Sequence, residues 1–257
     1  MPKVSVIIPC YNQGQFVDET VQSVLNQTLQ DFEIIIVNDG STEKNTINIL
    51  KQYSHPKLKI INTDNQGLAS ARNNGIKESS GKYILPLDAD DKIGNKYLEL
   101  AVNILDKNSD IGIVYCNAEF FGARNGLWQL PKYTESRMLW TNCIFCTAMY
   151  RKEDWQKVNG YNQNMVYGYE DWNFWLSLIE IDCKVYKLEE TLFFYRKHFK
   201  ISSMHKDLLG SLNKNFYSCR QLLKNHKKLY FKKPSKIILL FGYHFYVWIR
   251  QMTRGKL

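Results

Sequence analysis

An apolar run, Val4-Ser5-Val6-Ile7-Ile8-Pro9, opens the chain, and similar runs recur at regular intervals through residue 116. Runs at 4–9, 32–38, 58–62, 83–87 and 112–116 predict strands, because short apolar segments bounded by turn residues suit a buried sheet. Stretches of mixed polarity at 17–26, 45–53, 68–79 and 96–107 predict helices between them. Strand and helix in alternation predict an α/β fold of Rossmann type: a mostly parallel central sheet with helices on both faces. Residues 117–200 break the rhythm. Aromatics and turn formers dominate there, with a helix expected near 171–181 and strands near 184–188 and 192–195. Residues 206–257 carry a helical, basic pattern interrupted at Lys232-Lys233-Pro234. The expected organisation is one domain over 1–205, with halves at 1–116 and 117–205, and a helical extension over 206–257.

In sheets of this kind ligands bind beyond the carboxyl ends of the strands, and the polar clusters fall at those ends. Asp88-Ala89-Asp90-Asp91 directly follows the run Tyr83-Ile84-Leu85-Pro86-Leu87. Three carboxylates there repel one another unless a positive charge sits among them. Mg²⁺ and Mn²⁺ take oxygen ligands and share them with substrate phosphates, so the cluster is a candidate metal–diphosphate site. The plainer alternative is an acidic turn capping the next helix. Asp39-Gly40-Ser41-Thr42 ends the second strand; its carboxylate suits a nucleobase or ribose, or simply a turn and cap. Gly67-Leu68-Ala69-Ser70-Ala71-Arg72-Asn73 starts a helix with small residues and an arginine one turn in. That suits a phosphate, or a structural pairing of Arg72 with an acid such as Asp88. Tyr169-Glu170-Asp171-Trp172 places two carboxylates at a helix start, where the positive helix end favours ionisation. An ionised Asp171 is a candidate general base; the alternative is an ordinary helix-terminal acid.

Taken together, Val4-Ser5-Val6-Ile7-Ile8-Pro9-Cys10-Tyr11-Asn12, Glu33-Ile34-Ile35-Ile36-Val37-Asn38-Asp39-Gly40-Ser41-Thr42, the stretch 67–73, Leu87-Asp88-Ala89-Asp90-Asp91 and Glu170-Asp171-Trp172 resemble the family 2 glycosyltransferases of GT-A fold. Order and spacing agree over roughly residues 3–200. The resemblance implies an inverting, metal-dependent enzyme using a nucleotide-diphosphate sugar, most often a UDP-sugar. The acceptor it implies is a glycan or lipid-linked saccharide of bacterial surface-polysaccharide synthesis. It places Pro9, Tyr11, Asn12, Asp39, Gly67, Arg72, Asp88 and Ala89 around the nucleotide sugar. Asp90, with Asp88 and His198, holds Mn²⁺ or Mg²⁺, and Asp171 is the base, with Glu170 next in line. Glu43 stands where the family commonly has Asp, a mild departure. Trp128, Trp140, Tyr167, Tyr169 and Trp172 suit sugar stacking or the core.

Two rival readings use the same residues. A D-x-D phosphohydrolase would take Asp88 as nucleophile and Asp90 as acid, but such enzymes usually carry the motif on their first strand, and here it follows the fourth. A non-catalytic sugar or nucleotide binder has no use for the base at Asp171.

Composition narrows the setting. Of 257 residues, 44% are hydrophobic and 23% charged, ordinary for a globular protein. The first strand begins at once, without a signal-peptide layout, which predicts a cytoplasmic protein. Six scattered cysteines include one close pair, Cys143-x-x-Cys146; no further ligands at zinc spacing accompany it, so reduced thiols are expected. The net charge of +9 is uneven: residues 206–257 hold twelve Lys or Arg against one Asp, a balance of +11, while the other 205 residues hold 22 against 24, a balance of −2. Within that tail, Ile237-Ile238-Leu239-Leu240-Phe241-Gly242-Tyr243-His244-Phe245-Tyr246-Val247-Trp248-Ile249 spans about 20 Å as a helix, short of the roughly 30 Å hydrocarbon core. Apolar and aromatic residues flanked by cations predict peripheral contact with an anionic membrane at the inner face of the cell, or packing against the body or a second subunit. Nucleic-acid binding is not expected, since no recognition motif accompanies the charge.

Overall fold

Seven consecutive buried residues make β1 (Val4–Cys10), which lies between β2 (Phe32–Asp39) and β4 (Tyr83–Pro86), parallel to both. A strand covered on both faces needs apolar residues at successive positions rather than at alternate ones, which is why these runs are legible. β3 (Leu58–Thr63) extends the parallel half beyond β2. The computed structural model describes residues 1–199 and 211–254.

Helices α1 (Gly14–Leu25), α2 (Lys44–Gln52), α3 (Leu68–Lys77) and α4 (Tyr97–Lys107) connect or flank these strands. α1 turns Val17, Thr20, Val21 and Val24 inward, the spacing of one helical face. α3 packs tightly on the side chains of the sheet: a Cβ on Gly75 would stand 2.5 Å from Ile7 Cγ2 and 2.9 Å from Val37 Cγ2. That close approach fixes the height of the helix that carries Arg72.

The second half of the sheet is mixed. β5 (Lys92–Ile93), β6 (Ile111–Gly122), β7 (Gly126–Trp128), β8 (Met149–Arg151) and β9 (Lys184–Lys197) complete it. Among the described residues the order is β3-β2-β1-β4-β8-β6-β9-β5, with β7 beside β6. β8 runs antiparallel to β4 and β6, whereas β6 and β9 are parallel. The two strands expected at 184–188 and 192–195 are one continuous strand. Register shifts against β6, between Tyr115 and Ala118, absorb the polar segment that looked like a turn. α5 (Glu135–Met138) and α6 (Lys152–Lys157) are short, and α7 (Glu170–Glu180) is the expected helix near 171–181. The division anticipated at 116/117 falls inside β6.

The extension forms α8 (Leu212–Asn225), α9 (Lys227–Lys232) and α10 (Ser235–Arg254), broken at Lys233 and Pro234. Its Cys219, Leu222, Tyr230 and Leu240 belong to the same buried cluster as the sheet. Asn225 Nδ2 donates to Asn173 Oδ1 of α7 at 2.7 Å, and His226 Nδ1 lies 3.0 Å from Glu180 Oε2. The expected boundary at 205/206 lies outside the described residues. No helix among them is long and apolar enough to cross a membrane.

Candidate active site

Leu87 prolongs β4, its N–H donating to the Ile7 carbonyl at 2.9 Å, and the chain then turns, the Asp91 N–H donating to the Asp88 carbonyl at 3.0 Å. The turn sends its four residues different ways. Ala89 is buried, and its carbonyl accepts from Thr20 Oγ1 at 2.8 Å, so it contributes backbone shape to the rim. Asp91 is fully buried; one oxygen accepts the Arg196 N–H at 2.8 Å, and the other has no hydrogen-bond partner. Burial, then the charges of Asp90 and Asp88, hold its pKa well above the usual carboxylate range. The third acid of the cluster is thus turned into the protein.

Asp88 and Asp90 face opposite neighbours. Asp88 Oδ1 accepts from Arg72 Nη2 at 2.8 Å, and Oδ2 accepts from Cys146 Sγ at 3.6 Å. Asp90 Oδ2 lies 2.6 Å from His198 Nε2, whose ring packs on Phe16 with centroids 4.9 Å apart. Arg196, near the end of β9 and two residues before His198, donates from Nε to the Asp90 carbonyl at 2.7 Å and pairs with Glu19. Burial first, then the charge of Asp88, raises the Asp90 pKa, and His198 opposes the rise. Two mutually repelling carboxylates beside an imidazole are a donor set that fits Mn²⁺ or Mg²⁺, which bind through one or two carboxylates and leave positions for phosphate oxygens. Among the described residues no group of three or more His, Cys, Asp or Glu is placed to hold a metal ion; Asp90 and His198 stand as a pair, while one Asp88 oxygen accepts from Arg72 and the other from Cys146.

Arg72 is the buried centre of the site, 1% exposed. Nη1 donates to Glu170 Oε1 at 2.6 Å, Nη2 reaches Asp88, and the guanidinium lies 5.6 Å from the Tyr161 ring centroid. Both terminal nitrogens are therefore engaged by carboxylates, the pairing with an acid that the sequence also allowed.

Asp171 stands at the start of α7, half-buried, behind Tyr169 in the left-handed conformation at φ 66°. Its Oδ1 accepts the Trp172 N–H at 2.7 Å and its Oδ2 accepts from Asn142 Nδ2 at 3.0 Å. Burial first, then the charge of Glu170, pushes its pKa up to about 7, against the pull of Arg72. Arg72 thus links Glu170, the neighbour of Asp171, to Asp88, and Asp90, two residues on from Asp88 in the chain, pairs with His198.

The residues expected around the nucleotide fall into two groups. Tyr11 is exposed at 46% and free to meet a ligand, while Pro9 is buried within β1. Asp39 Oδ1 and Oδ2 accept the N–H groups of Gln66 at 3.1 Å and Gly67 at 3.0 Å, tying the second strand to the start of α3. Gly67, at φ 85°, supplies a turn that side-chain residues adopt poorly. Asn12 Oδ1 accepts the N–H groups of Thr42 and Glu43, both at 2.9 Å. Asp39 and Asn12 therefore shape the loops. Of the aromatics, Tyr169 and Trp172 are core; Tyr167 is exposed, and Trp140 is half-buried.

Asn142, Tyr161 and Arg196 lie against the site without having been singled out from the sequence, and Cys146, seen there only as half of a close cysteine pair, reaches Asp88. No local signal marks Asn142, which comes from the irregular segment between α5 and β8. A polar cleft of about 800 Å³ lies elsewhere, lined by Asn73, Trp155, Asn162, Ser177 and Asn225. None of Asp39, Asp88, Asp90 or Asp171 lines it.

Residues 5–172 match the family model Glycosyl transferase family 2. A chondroitin synthase from Escherichia coli is 30% identical over 189 residues, 70% of this chain; the chain spans only 27% of that synthase. TarS from S. aureus, solved as residues 1–349 in complex with UDP-GlcNAc, shares the fold with a TM-score of 0.67 and 20% identity, over 90% of this chain and 73% of that one. The mannosyltransferase PcManGT from Pyrobaculum calidifontis, in complex with GDP-Man and Mn²⁺, gives 0.64 and 16% identity, over 94% of this chain and 73% of that one.

Proposed function

The chain belongs to glycosyl transferase family 2, and on that premise we propose that it moves a sugar from a UDP-linked donor to a hydroxyl of a glycan or lipid-linked saccharide, with inversion. The observation that carries this reading is the set of contacts at the site: Asp171 held by Asn142 and the Trp172 N–H beside the Glu170–Arg72–Asp88 network, and the Asp90–His198 pair next to that network. The complexes of TarS with UDP-GlcNAc and of PcManGT with GDP-Man and Mn²⁺ support a nucleotide-sugar donor and a divalent ion. The chondroitin synthase supports a role in bacterial polysaccharide synthesis. In this reading residues 1–116 bind the donor, 117–205 the acceptor, and the reaction takes place at the inner face of the cell membrane.

Asp171 accepts the proton of the acceptor hydroxyl as that oxygen bonds to the anomeric carbon and the bond to the diphosphate breaks. A base whose pKa lies near the working pH combines availability with proton affinity. Asn142 and the Trp172 N–H hold its carboxylate in place. Arg72 engages one oxygen each of Glu170 and Asp88, its single charge shared between two carboxylates, and so holds both away from the proton transfer. Asp90 and His198, with Asp88, would hold Mn²⁺ or Mg²⁺, which offsets charge developing on the leaving diphosphate.

The test is nucleoside-diphosphate release from a panel of UDP- and GDP-sugars, with Mn²⁺, Mg²⁺ or chelator, and saccharide acceptors. Turnover is expected with a UDP-sugar and lost on chelation. Because the base must be ionised, kcat/KM should rise about tenfold per pH unit below a pKa of about 7 and level off above it. Release of phosphate from a generic phosphomonoester, with no nucleotide sugar consumed, would overturn the proposal in favour of a phosphohydrolase.

A further inference from the structure

We propose that the outward face of α10 is a docking surface for an anionic lipid bilayer. The inward face is accounted for: Ile237, Leu240, Phe241 and His244 follow the spacing of one helical side. Phe241 packs on Phe216 of α8 with centroids 5.6 Å apart, and His244 Nδ1 lies 3.1 Å from the Tyr169 hydroxyl. A helix that packs one apolar face on a globular body ordinarily turns polar residues to water. α10 does the reverse. Ile238 is 78% exposed and Tyr246 57%, and Leu239, Phe245, Ile249 and Met252 are exposed with them. On a helical projection, 252, 245, 238, 249, 246 and 239 fall in one arc. Lys227, Lys228, Lys232 and Lys233 are exposed just before this arc, and Arg250 is exposed beside it.

Charge and size select the occupant. The tail carries +11 and the rest of the chain −2, so pairing two copies through this face would bring two cationic tails together. Twenty helical residues give a stripe about 30 Å long and about 10 Å wide, roughly 300 Å², below the about 800 Å² per partner of a standard protein interface. A lipid surface needs only the apolar face sunk to the acyl boundary, with lysines at the headgroups. The helix lies on the bilayer, since none among the described residues can cross it.

The inward contact gives docking a consequence. His244 holds Tyr169, the left-handed residue directly before Glu170 and Asp171. A docked α10 therefore sets the rim bearing the base relative to the membrane. This use of the face rests on the lipid-linked acceptor proposed above; the lipid binding does not.

The experiment is sedimentation of the full chain with phosphatidylglycerol–phosphatidylcholine vesicles and with pure phosphatidylcholine vesicles, at low and high salt, without donor or acceptor. Two variants are compared: Ile238→Glu with Tyr246→Glu and Ile249→Glu, and Lys232→Glu with Lys233→Glu. Melting curves confirm that each is folded. Binding is expected to anionic vesicles only, weakened by salt and at least about tenfold weaker in each variant. Turnover on a soluble acceptor should be unchanged, which separates this proposal from the transferase reading. Absence of vesicle binding by the wild type, or equal binding by wild type and variants, overturns it. So does a concentration-dependent dimer in light scattering that the triple variant disperses while vesicles bind neither protein.

Discussion

Asp171→Asn is expected to lower turnover by about 10²–10⁴, the range of a lost general base. The substitution keeps size and shape, so the donor should bind as before and the loss should fall on kcat. The rising limb of the pH profile near 7 should vanish with it. Stability should move the other way. The folded pKa of about 7 lies above the ordinary Asp value of 3.8, because burial and Glu170 disfavour ionisation. The folded state therefore holds a proton that the unfolded chain has lost between these two values. The stability linked to that proton is full below about 4 and is lost as pH rises through about 7. Asp171→Asn removes this loss and should melt higher than wild type at pH 8, with little difference at pH 4. Calorimetric melting beside steady-state kinetics checks both halves. Near-wild-type turnover would reject Asp171 and pass the role to Glu170.

Arg72→Met should cost about 3–5 kcal/mol of unfolding free energy, the range for breaking a buried ion pair from one side. The side chain is almost fully enclosed, and its two pairs reach Asp88 at 2.8 Å and Glu170 at 2.6 Å. Methionine fills much of the volume but leaves two carboxylates facing each other across the base of the site. Asp171 also loses the charge that holds its pKa down, so the activity limb should move above pH 7. Urea unfolding and the pH dependence of kcat/KM read the two effects separately. A loss under about 1 kcal/mol, the size of an exposed ion pair, would show that the guanidinium is not the centre of the site.

How much of this was legible in the sequence depends on where each residue's partners lie. β1, β2 and β4 are legible because burial on both faces demands uninterrupted apolar runs, and the ends of β2 and β4 then point to Asp39 and Asp88; β3, at the sheet edge and only partly buried, still shows the apolar Leu58, Ile60 and Ile61. β5, β7 and β8 are two or three residues long and leave no periodicity to read. β9 was split in two because its mid-strand charges are exposed and resemble a turn. At the site, the acid at a helix start is a local signal, and that signal is what makes Asp171 the candidate base; the structure shows it at the first turn of α7. The fate of Arg72 was not local: Asp88 lies 16 residues away and Glu170 lies 98 away. Asp39 and Asn12, expected at the nucleotide, also have oxygens that accept backbone N–H groups from neighbouring loops, a demand that spacing alone does not reveal. Asn142 reaches Asp171, and Arg196 reaches the Asp90 carbonyl and the Asp91 carboxylate, contacts set by packing of distant segments.

The nucleotide–metal site is tested most directly by calorimetric titration of UDP into wild type and Asp90→Ala, each with and without Mn²⁺. Asp90 shares its carboxylate with His198 and is not needed to hold Arg72, so its loss should leave the fold intact. Binding of UDP to the wild type only with Mn²⁺ present, and its loss in Asp90→Ala, is the expected result. UDP binding that ignores Mn²⁺ and survives in Asp90→Ala would contradict it, as would a wild type that binds no UDP at all.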